Sequence, residues 1–344
     1  MTLTPVKQQK PLLEVINLKK YFPIYKGLLH RHVNDVKAVD DVSFSVYPRE
    51  TLALVGESGC GKTTIGRCVA RAYSPTSGQL RYNDQDQPID LATLNEHQLT
   101  RFRRDIRMIF QDPFASLNPR MTVFNIIANP LKIHKLAKGK ELEDRVAGLM
   151  RQVGLRPEYM RRYPHAFSGG QRQRIVIARA LALNPKLVIA DEAVSALDVS
   201  VRAQILNLMQ DLQDQFDLTY LFISHDLSVV EYVADRVAVM YVGKLVELAP
   251  TENLYGKPKH PYTEALMSAI PKPDPRKRAK RIILSGEVAD PANPPSGCYF
   301  HPRCPYAQER CKVETPALRP IEDNRMVACH FAEELDLAGI PAVS

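Results

Sequence analysis

Apolar and polar residues alternate along Val42-Ser43-Phe44-Ser45-Val46, the two-residue period of a half-buried antiparallel strand. Leu13-Glu14-Val15-Ile16-Asn17-Leu18 reads as a second short strand. Three other runs are apolar without alternation. Thr51 to Val55 ends in a glycine, Leu187 to Ala190 ends in Asp191-Glu192, and Tyr220 to Ile223 ends in Ser224-His225. Continuous runs of this length suit parallel strands buried on both faces, with chemistry gathered at their carboxyl ends. Helical spacing appears between them, as at Ile175, Ala178 and Ala182. Residues 238–247 read as a strand, a turn at Gly243 and a second strand. The pattern predicts an α/β fold.

From about residue 112 to 167 the chain is rich in Arg, Lys and Leu and carries no strong strand pattern. It reads as a helical insertion, and with the helix that follows it forms a helical subdomain over about 112–175. After about 270 the composition shifts. Pro271, Pro273, Pro275, Pro291, Pro294 and Pro295 mark a linker and an irregular tail. The expected division is 12–270 for the main domain and 271–344 for a small extension. No internal repeat is present.

Composition narrows the class. Of 344 residues, 45% are hydrophobic and 24% charged, ordinary for a globular protein with a full core. No apolar run approaches the ~18 residues that would span a bilayer. The start, Met1 to Pro11, is polar and lacks the apolar centre of a secretory signal, so the chain is expected to stay in the cytosol. The net charge is +8, with the densest basic run at Arg276-Lys277-Arg278, Lys280 and Arg281. No aromatic residues interleave with it, so it reads as a solvated linker and nucleic acid is not an expected partner.

Gly56-Glu57-Ser58-Gly59-Cys60-Gly61-Lys62-Thr63 follows a strand and precedes a helical pattern in Thr64 and beyond. Glycines let a backbone curl so that its N–H groups converge on phosphate oxygens, and the following helix adds its positive end. Lys62 is placed to reach the β- and γ-phosphates of a nucleotide, and Thr63 to offer a hydroxyl to Mg²⁺. Cys60 is expected to contribute its backbone N–H, and could make the site sensitive to thiol reagents. Asp191 closes a buried strand, where an acid is costly unless a cation is near, and Mg²⁺ supplies one. Glu192, on the other side of the strand, is placed to polarise an attacking water as general base. His225 ends a third strand on the same sheet edge.

These motifs resemble the ATP-binding subunits of ABC transporters over about residues 12–270. The glycine-rich loop resembles Walker A, and Leu187 to Glu192 resembles Walker B with its catalytic glutamate. Gln111 in Ile109-Phe110-Gln111-Asp112-Pro113 looks like the Q-loop glutamine, which implies Mg²⁺ contact and communication with a membrane subunit. Ser168-Gly169-Gly170-Gln171 is similar to the ABC signature, Ser195-Ala196-Leu197-Asp198 to the D-loop, and His225 to the switch histidine. Tyr21 resembles the aromatic that stacks on adenine, with Phe22 the competing choice. The resemblance implies a P-loop ATPase core with antiparallel β and helical subdomains, and ATP with Mg²⁺ as ligands. It also implies a head-to-tail dimer in which the Ser168 motif, capped at a helix start, closes over the partner's ATP. One position departs: the family's usual proline after the catalytic glutamate is Ala193 here. The mild reading is a neutral or an engineered change, and the sharper one is slower or less coupled hydrolysis.

The tail carries Cys298, Cys304, Cys311 and Cys329. Four thiolates in an irregular segment suit a [4Fe–4S] cluster or, less well at this spacing, Zn²⁺; reduced unliganded thiols are the alternative. His260-Pro261-Tyr262-Thr263 and Asn293-Pro294-Pro295-Ser296-Gly297-Cys298 resemble the C-terminal extension of the oligopeptide/dipeptide/nickel importer subfamily, some members of which carry such a cluster. The implied role is the ATP-hydrolysing subunit of a bacterial peptide importer, peripheral on the cytoplasmic face of the inner membrane. Its implied partners are a second, non-identical ATPase subunit, two transmembrane permeases and an extracytoplasmic peptide-binding protein. Nickel, glutathione or antimicrobial-peptide import, or a non-catalytic ATP-binding regulatory cassette, are the alternatives.

Overall fold

The computed structural model describes residues 10–27, 30–84, 87–270, 282–322 and 324–339. The basic run at Arg276 to Arg281 and most of Met1 to Pro11 fall outside the described residues. Among those described there are twelve strands. The first six are β1 (Leu13–Lys26), β2 (Arg31–Val46), β3 (Thr51–Val55), β4 (Ser77–Asp84), β5 (Gln87–Asp90) and β6 (Ile106–Ile109). The rest are β7 (Leu187–Asp191), β8 (Thr219–Ile223), β9 (Arg236–Tyr241), β10 (Lys244–Pro250), β11 (Arg319–Ile321) and β12 (Arg325–Val327).

The chain forms two compact units. One contains residues 47–50 and 94–223. Its strands β6, β7 and β8 run parallel, with Ile106 opposite Leu187 and Asp191 opposite Ile223. Every residue of β7 and β8 is buried, as their unbroken apolar runs require. The segment expected to be helical holds helices Val123–Ile133 and Gly139–Gln152, followed by 3₁₀ turns at Pro157–Arg161 and Pro164–Ala166. Leu142, Val146 and Met150 recur at four-residue spacing and form the buried face of the second helix. The Thr122 hydroxyl accepts the Asn125 N–H and caps the first. The unit also contains helices Glu96–Asp105, Gly169–Leu181 and Val199–Phe216.

The other unit contains 10–46, 51–93 and the chain from 224 onward. It has an antiparallel sheet in the order β2-β1-β4-β5 and a run of strands β11-β12-β10-β9-β3. In that run β3 and β9 are parallel, and the remaining pairs are antiparallel. The first two strands extend far beyond the segments that their apolar pattern marks. The added residues include polar ones such as Lys19, Lys20, Asn34, Asp35 and Lys37, which pair through backbone, so hydropathy does not reveal them. The tail contributes β11 and β12, which pair with each other and with β10. Each is three residues long and carries an arginine, too short and too polar to read as a strand.

The tail is anchored by its buried side chains. Phe300 packs edge-on to Tyr241, with ring centroids 5.2 Å apart, and lies 5.4 Å from the Tyr262 ring. Tyr241 and Tyr262 are themselves 4.7 Å apart. Such pairs each add ~0.5–1.5 kcal/mol beyond area burial. Beside them Glu247, 0% exposed, faces Arg325 across 3.5 Å and accepts the N–H groups of Lys259 and His260. His260 caps helix Pro261–Ser268: its Nδ1 accepts the Tyr262 N–H at 3.1 Å, which requires a neutral ring.

Burial pushes the His260 imidazole down from 6.5 to about 3. A folded value below the unfolded one means that the unfolded chain binds the proton first. The stabilisation is complete above about pH 6.5 and drains away as pH falls toward about 3, by ~1.4 kcal/mol per pH unit. His260→Asn, which keeps a capping oxygen, is expected to flatten the acid side of the stability curve by that slope in chemical denaturation. An unchanged slope would show that His260 is protonated in the fold.

Candidate functional site

β3 delivers the chain into the glycine-rich loop, and helix Lys62–Val69 leaves it. Gly56 and Gly61 have φ of 147° and 107°, which side-chain-bearing residues rarely adopt. A Cβ on Gly56 would stand 2.2 Å from the Met240 carbonyl oxygen, and one on Gly61 would stand 2.1 Å from that of Ala38. Ser58 and Gly59 form the exposed apex, while Cys60 is buried. The loop is tied to its surroundings by backbone. Cys60 O accepts the Gly243 N–H, and Gly243 O accepts the Asp40 N–H. Lys62 is buried and folds back into the loop, donating to Gly56 O at 2.7 Å and Glu57 O at 3.0 Å. No side chain caps the helix start, and no acid lies in its first turn, where Thr63 and Thr64 follow Lys62. A buried ammonium, a curl of backbone made possible by Gly56 and Gly61, and an uncapped helix start form a donor set that fits a polyphosphate.

Cys60 does not resemble a reactive thiol. Burial pushes it above its usual value against the opposing pull of Lys62, whose Nζ is 3.6 Å from the sulfur.

On the same unit, Tyr21 is half-buried opposite Lys37 in β2. Its hydroxyl donates to Asp40 Oδ1 at 2.5 Å, and its N–H donates to Thr76 Oγ1. Tyr299 donates to the other Asp40 oxygen at 3.0 Å, and Lys244 Nζ lies 2.9 Å from it. Burial acts to raise the Asp40 carboxyl, but these hydrogen bonds and the Lys244 charge hold it below the usual carboxylate range. Phe22, the next residue along the strand, is engaged edge-on by Tyr73 at 5.6 Å, with Lys20 above its ring. His225 is exposed between Ser224 and Asp226, whose carboxylate caps the following helix.

The other unit carries the remaining motif residues. Asp191 ends β7 at 4% exposure. Glu192 follows in the left-handed region, φ 49°, a conformation that costs a non-glycine residue ~1–3 kcal/mol. Its backbone is held on both sides: its N–H donates to Ile223 O, and its carbonyl accepts from the Ser195 amide and hydroxyl. Its carboxylate accepts the Gln111 Nε2–H at 2.7 Å. Ala193 is buried at 2%. Ser168 and Gln171 form a reciprocal capping box at the start of Gly169–Leu181. Gly170 is needed for close approach, because a Cβ there would stand 2.4 Å from Val201 Cγ1. Gly169 faces Leu197 of the D-loop segment, and Asp198 stands at the N-cap of Val199–Phe216.

The expectation of an iron–sulfur cluster is corrected. Among the described residues no three His, Cys, Asp or Glu side chains come together as metal ligands. Cys298, Cys304, Cys311 and Cys329 are free thiols lining one small cavity with Phe300 and Phe331. Burial in these apolar walls pushes Cys304 up to about 12, Cys329 up to about 11, and Cys298 upward as well.

Asp40, Tyr262, Tyr299 and Arg303 touch the predicted site residues but carry no signal of it in the sequence. Tyr262 accepts the Glu57 N–H at 2.9 Å, and Arg303 pairs with the Glu57 carboxylate from 246 positions away. No local pattern reports pairings over such distances.

Parallel strands whose buried carboxyl ends feed a glycine cradle and an acidic pair define a nucleotide-binding protein of the P-loop class. Comparison with known proteins narrows this. The ABC transporter family matches residues 39–195, and the oligopeptide/dipeptide transporter C-terminal region matches 246–311. The chain is 54% identical to the oligopeptide transport ATP-binding protein AppF of Bacillus subtilis over 326 residues, 94% of this chain and 98% of that protein. It is 51% identical to the dipeptide transport ATP-binding protein DppF of Haemophilus influenzae, over 94% of this chain and 98% of that one. The dimeric structure of the ATP-binding cassette MJ0796 in a post-hydrolysis state bound to ADP and Pi aligns with a TM-score of 0.61 at 26% identity, covering 70% of this chain and 98% of that chain. The chain belongs to the ABC transporter ATP-binding proteins, in the group that carries the oligopeptide/dipeptide C-terminal region.

Denatured without reductant, the protein is expected to release six titratable thiols per chain in an Ellman assay, and in the native state at pH 7 few of them react. A lower denatured count would reveal a disulfide or a sulfur-bound group.

Proposed function

We propose that this chain is the ATP-hydrolysing subunit of a bacterial importer for di- or oligopeptides. The observation that carries the reading is the cradle: a buried Lys62 ammonium inside a loop that only glycines at 56 and 61 can form. The peptide cargo comes from the relatives, which are named as oligopeptide and dipeptide transport proteins. Residues 12–270 act as the nucleotide-binding domain, with the helical subdomain near 112–175. Residues 271–344 are its small cysteine-containing extension.

Bound MgATP supplies the phosphoanhydride to be cleaved, and the metal neutralises charge on its phosphates. Lys62 and the amides of Gly59 to Thr64 bind those phosphates. Thr63, Gln111 and Asp191 hold the metal, and Tyr21 stacks on the base. Tyr21 is favoured over Phe22 because the Phe22 ring is already engaged by Tyr73. Glu192 accepts the proton of the attacking water, oriented by the Gln111 amide that already touches it. His225 steadies the water and the terminal phosphate.

The Ser168–Gln171 helix start and Asp198 serve a nucleotide held by a second, similar ATPase subunit. The pair works head to tail under two transmembrane permeases fed by an extracytoplasmic peptide-binding protein. This puts the chain on the cytoplasmic face of the inner membrane. Among the described residues no helix is long and apolar enough to cross a membrane, in keeping with a peripheral subunit. A groove of about 300 Å³ next to the Q-loop supports the permease contact. Phe110 and Ile133, 41% and 65% exposed, line it beside Arg107, His134 and Arg179.

Glu192→Gln is expected to lower ATPase turnover of the assembled importer by about a hundredfold or more, the scale of a lost general base, and to accumulate an ATP-bound closed dimer. Turnover near wild type would remove Glu192 from the mechanism. Ile133→Asp, at an exposed position, is expected to abolish peptide uptake while the purified chain still binds MgATP. Undiminished uptake would rule out this groove as the permease contact.

A further inference from the structure

The tail reaches both ends of the proposed nucleotide site. The stretch Pro291–Asn293 lies along β2: Pro291 O accepts the Lys37 N–H, while Ala292 O and Asn293 Oδ1 accept from the Asn34 amide. Tyr299 then joins Tyr21 on the Asp40 carboxylate. Four residues later Arg303 forks onto the cradle itself. Its Nη1 donates to Glu57 Oε2 at 2.8 Å, and its Nη2 to Glu57 Oε1 at 3.1 Å. The Arg303 side chain is 8% exposed and that of Glu57 28%. Nη1 also approaches the Tyr241 hydroxyl at 3.4 Å.

This pairing meets a problem created by the sequence. Glu57 puts a carboxylate in the loop whose amides are to receive a polyphosphate. Left unpaired, that carboxylate would repel the phosphates and compete for the same N–H groups. A bidentate guanidinium cancels its charge and fixes its direction, which a single-point ammonium would do less well. The Glu57 N–H is also occupied, by the Tyr262 hydroxyl, so the residue is held through both backbone and side chain.

We infer that Arg303 is a positioning residue of the phosphate cradle: by holding and neutralising Glu57 it sets nucleotide affinity, so the C-terminal segment is part of the nucleotide site. The inference rests on the ATP reading above. It makes the tail a determinant of binding as well as an attachment.

The test is MgATP binding to the full-length chain by calorimetry, with AMP as a comparison ligand. Arg303→Gln is expected to weaken MgATP about tenfold, the scale of one partly screened charge beside a phosphate. The loss should be smaller for AMP, and should narrow at ~0.5 M salt, where the Debye length is a few ångströms. Adding Glu57→Gln to Arg303→Gln should recover most of the loss, because the carboxylate to be neutralised is gone. Thermal midpoints check that each variant folds. If Arg303→Gln does not fold, Arg303→Lys carries the same cycle, with a smaller loss that Glu57→Gln again relieves. Wild-type affinity in the folded single variant would overturn the inference. So would a double variant as weak as the single, since Arg303 would then act on the phosphates directly or through general stability. A wild-type chain that binds no MgATP would instead overturn the nucleotide reading, and this inference with it.

Discussion

Two backbone carbonyl oxygens leave no room for a side chain at two positions of the glycine-rich loop, 56 and 61. Those of Met240 and Ala38 stand about where Cβ atoms on Gly56 and Gly61 would begin. Because those positions are glycine, the loop lies directly against β9 and β2, and backbone hydrogen bonds link Cys60 to Gly243 and Gly243 to Asp40. That seam brings the rest of the unit into place. Asp40 holds Tyr21, Tyr299 and Lys244, and the loop's Glu57 holds Arg303 and Tyr262. The buried Lys62 ammonium is satisfied by the loop's own carbonyls, so the cradle is formed before any anion arrives.

The second unit solves a different problem. Its acidic pair, Asp191 and Glu192, sits where the chain must turn sharply out of a buried strand. Glu192 adopts a strained left-handed conformation that persists because Ile223 and Ser195 hold its backbone, and Gln111 holds its carboxylate. With alanine rather than proline at 193, the next residue adds none of proline's own backbone constraint. Ser168 and Gln171 cap one another, which fixes the start of the signature helix without an external partner. Gly170 admits Val201 close against that start, so the signature and D-loop segments pack as one piece.

Much of this was readable from residue order alone, and the boundary between what was and was not readable is physical. Strands β3, β7 and β8 are buried on both faces, so their apolar runs announce them and locate the groups at their ends. Short or one-sided strands such as β5, β6 and β12 do not announce themselves, because backbone pairing rather than apolar periodicity holds them. The cysteines misled for a related reason. Their spacing is compatible with thiolate ligands, but spacing along the chain does not report the walls around the thiols. Here Phe300 and Phe331 keep those walls apolar. The pairing of Glu57 with Arg303 joins residues 246 positions apart, one in a motif and one in a tail that seemed only an appendage.

In the proposed function this cradle, in the shape its glycines allow, binds MgATP. The most direct measurement is titration of MgATP into the wild-type chain and into Gly61→Ala, each confirmed folded by circular dichroism. Saturable one-to-one binding is expected for the wild type and its loss in the variant, whose new Cβ would displace the loop from Ala38. Equal binding by a folded Gly61→Ala chain, or none by the wild type, would contradict it.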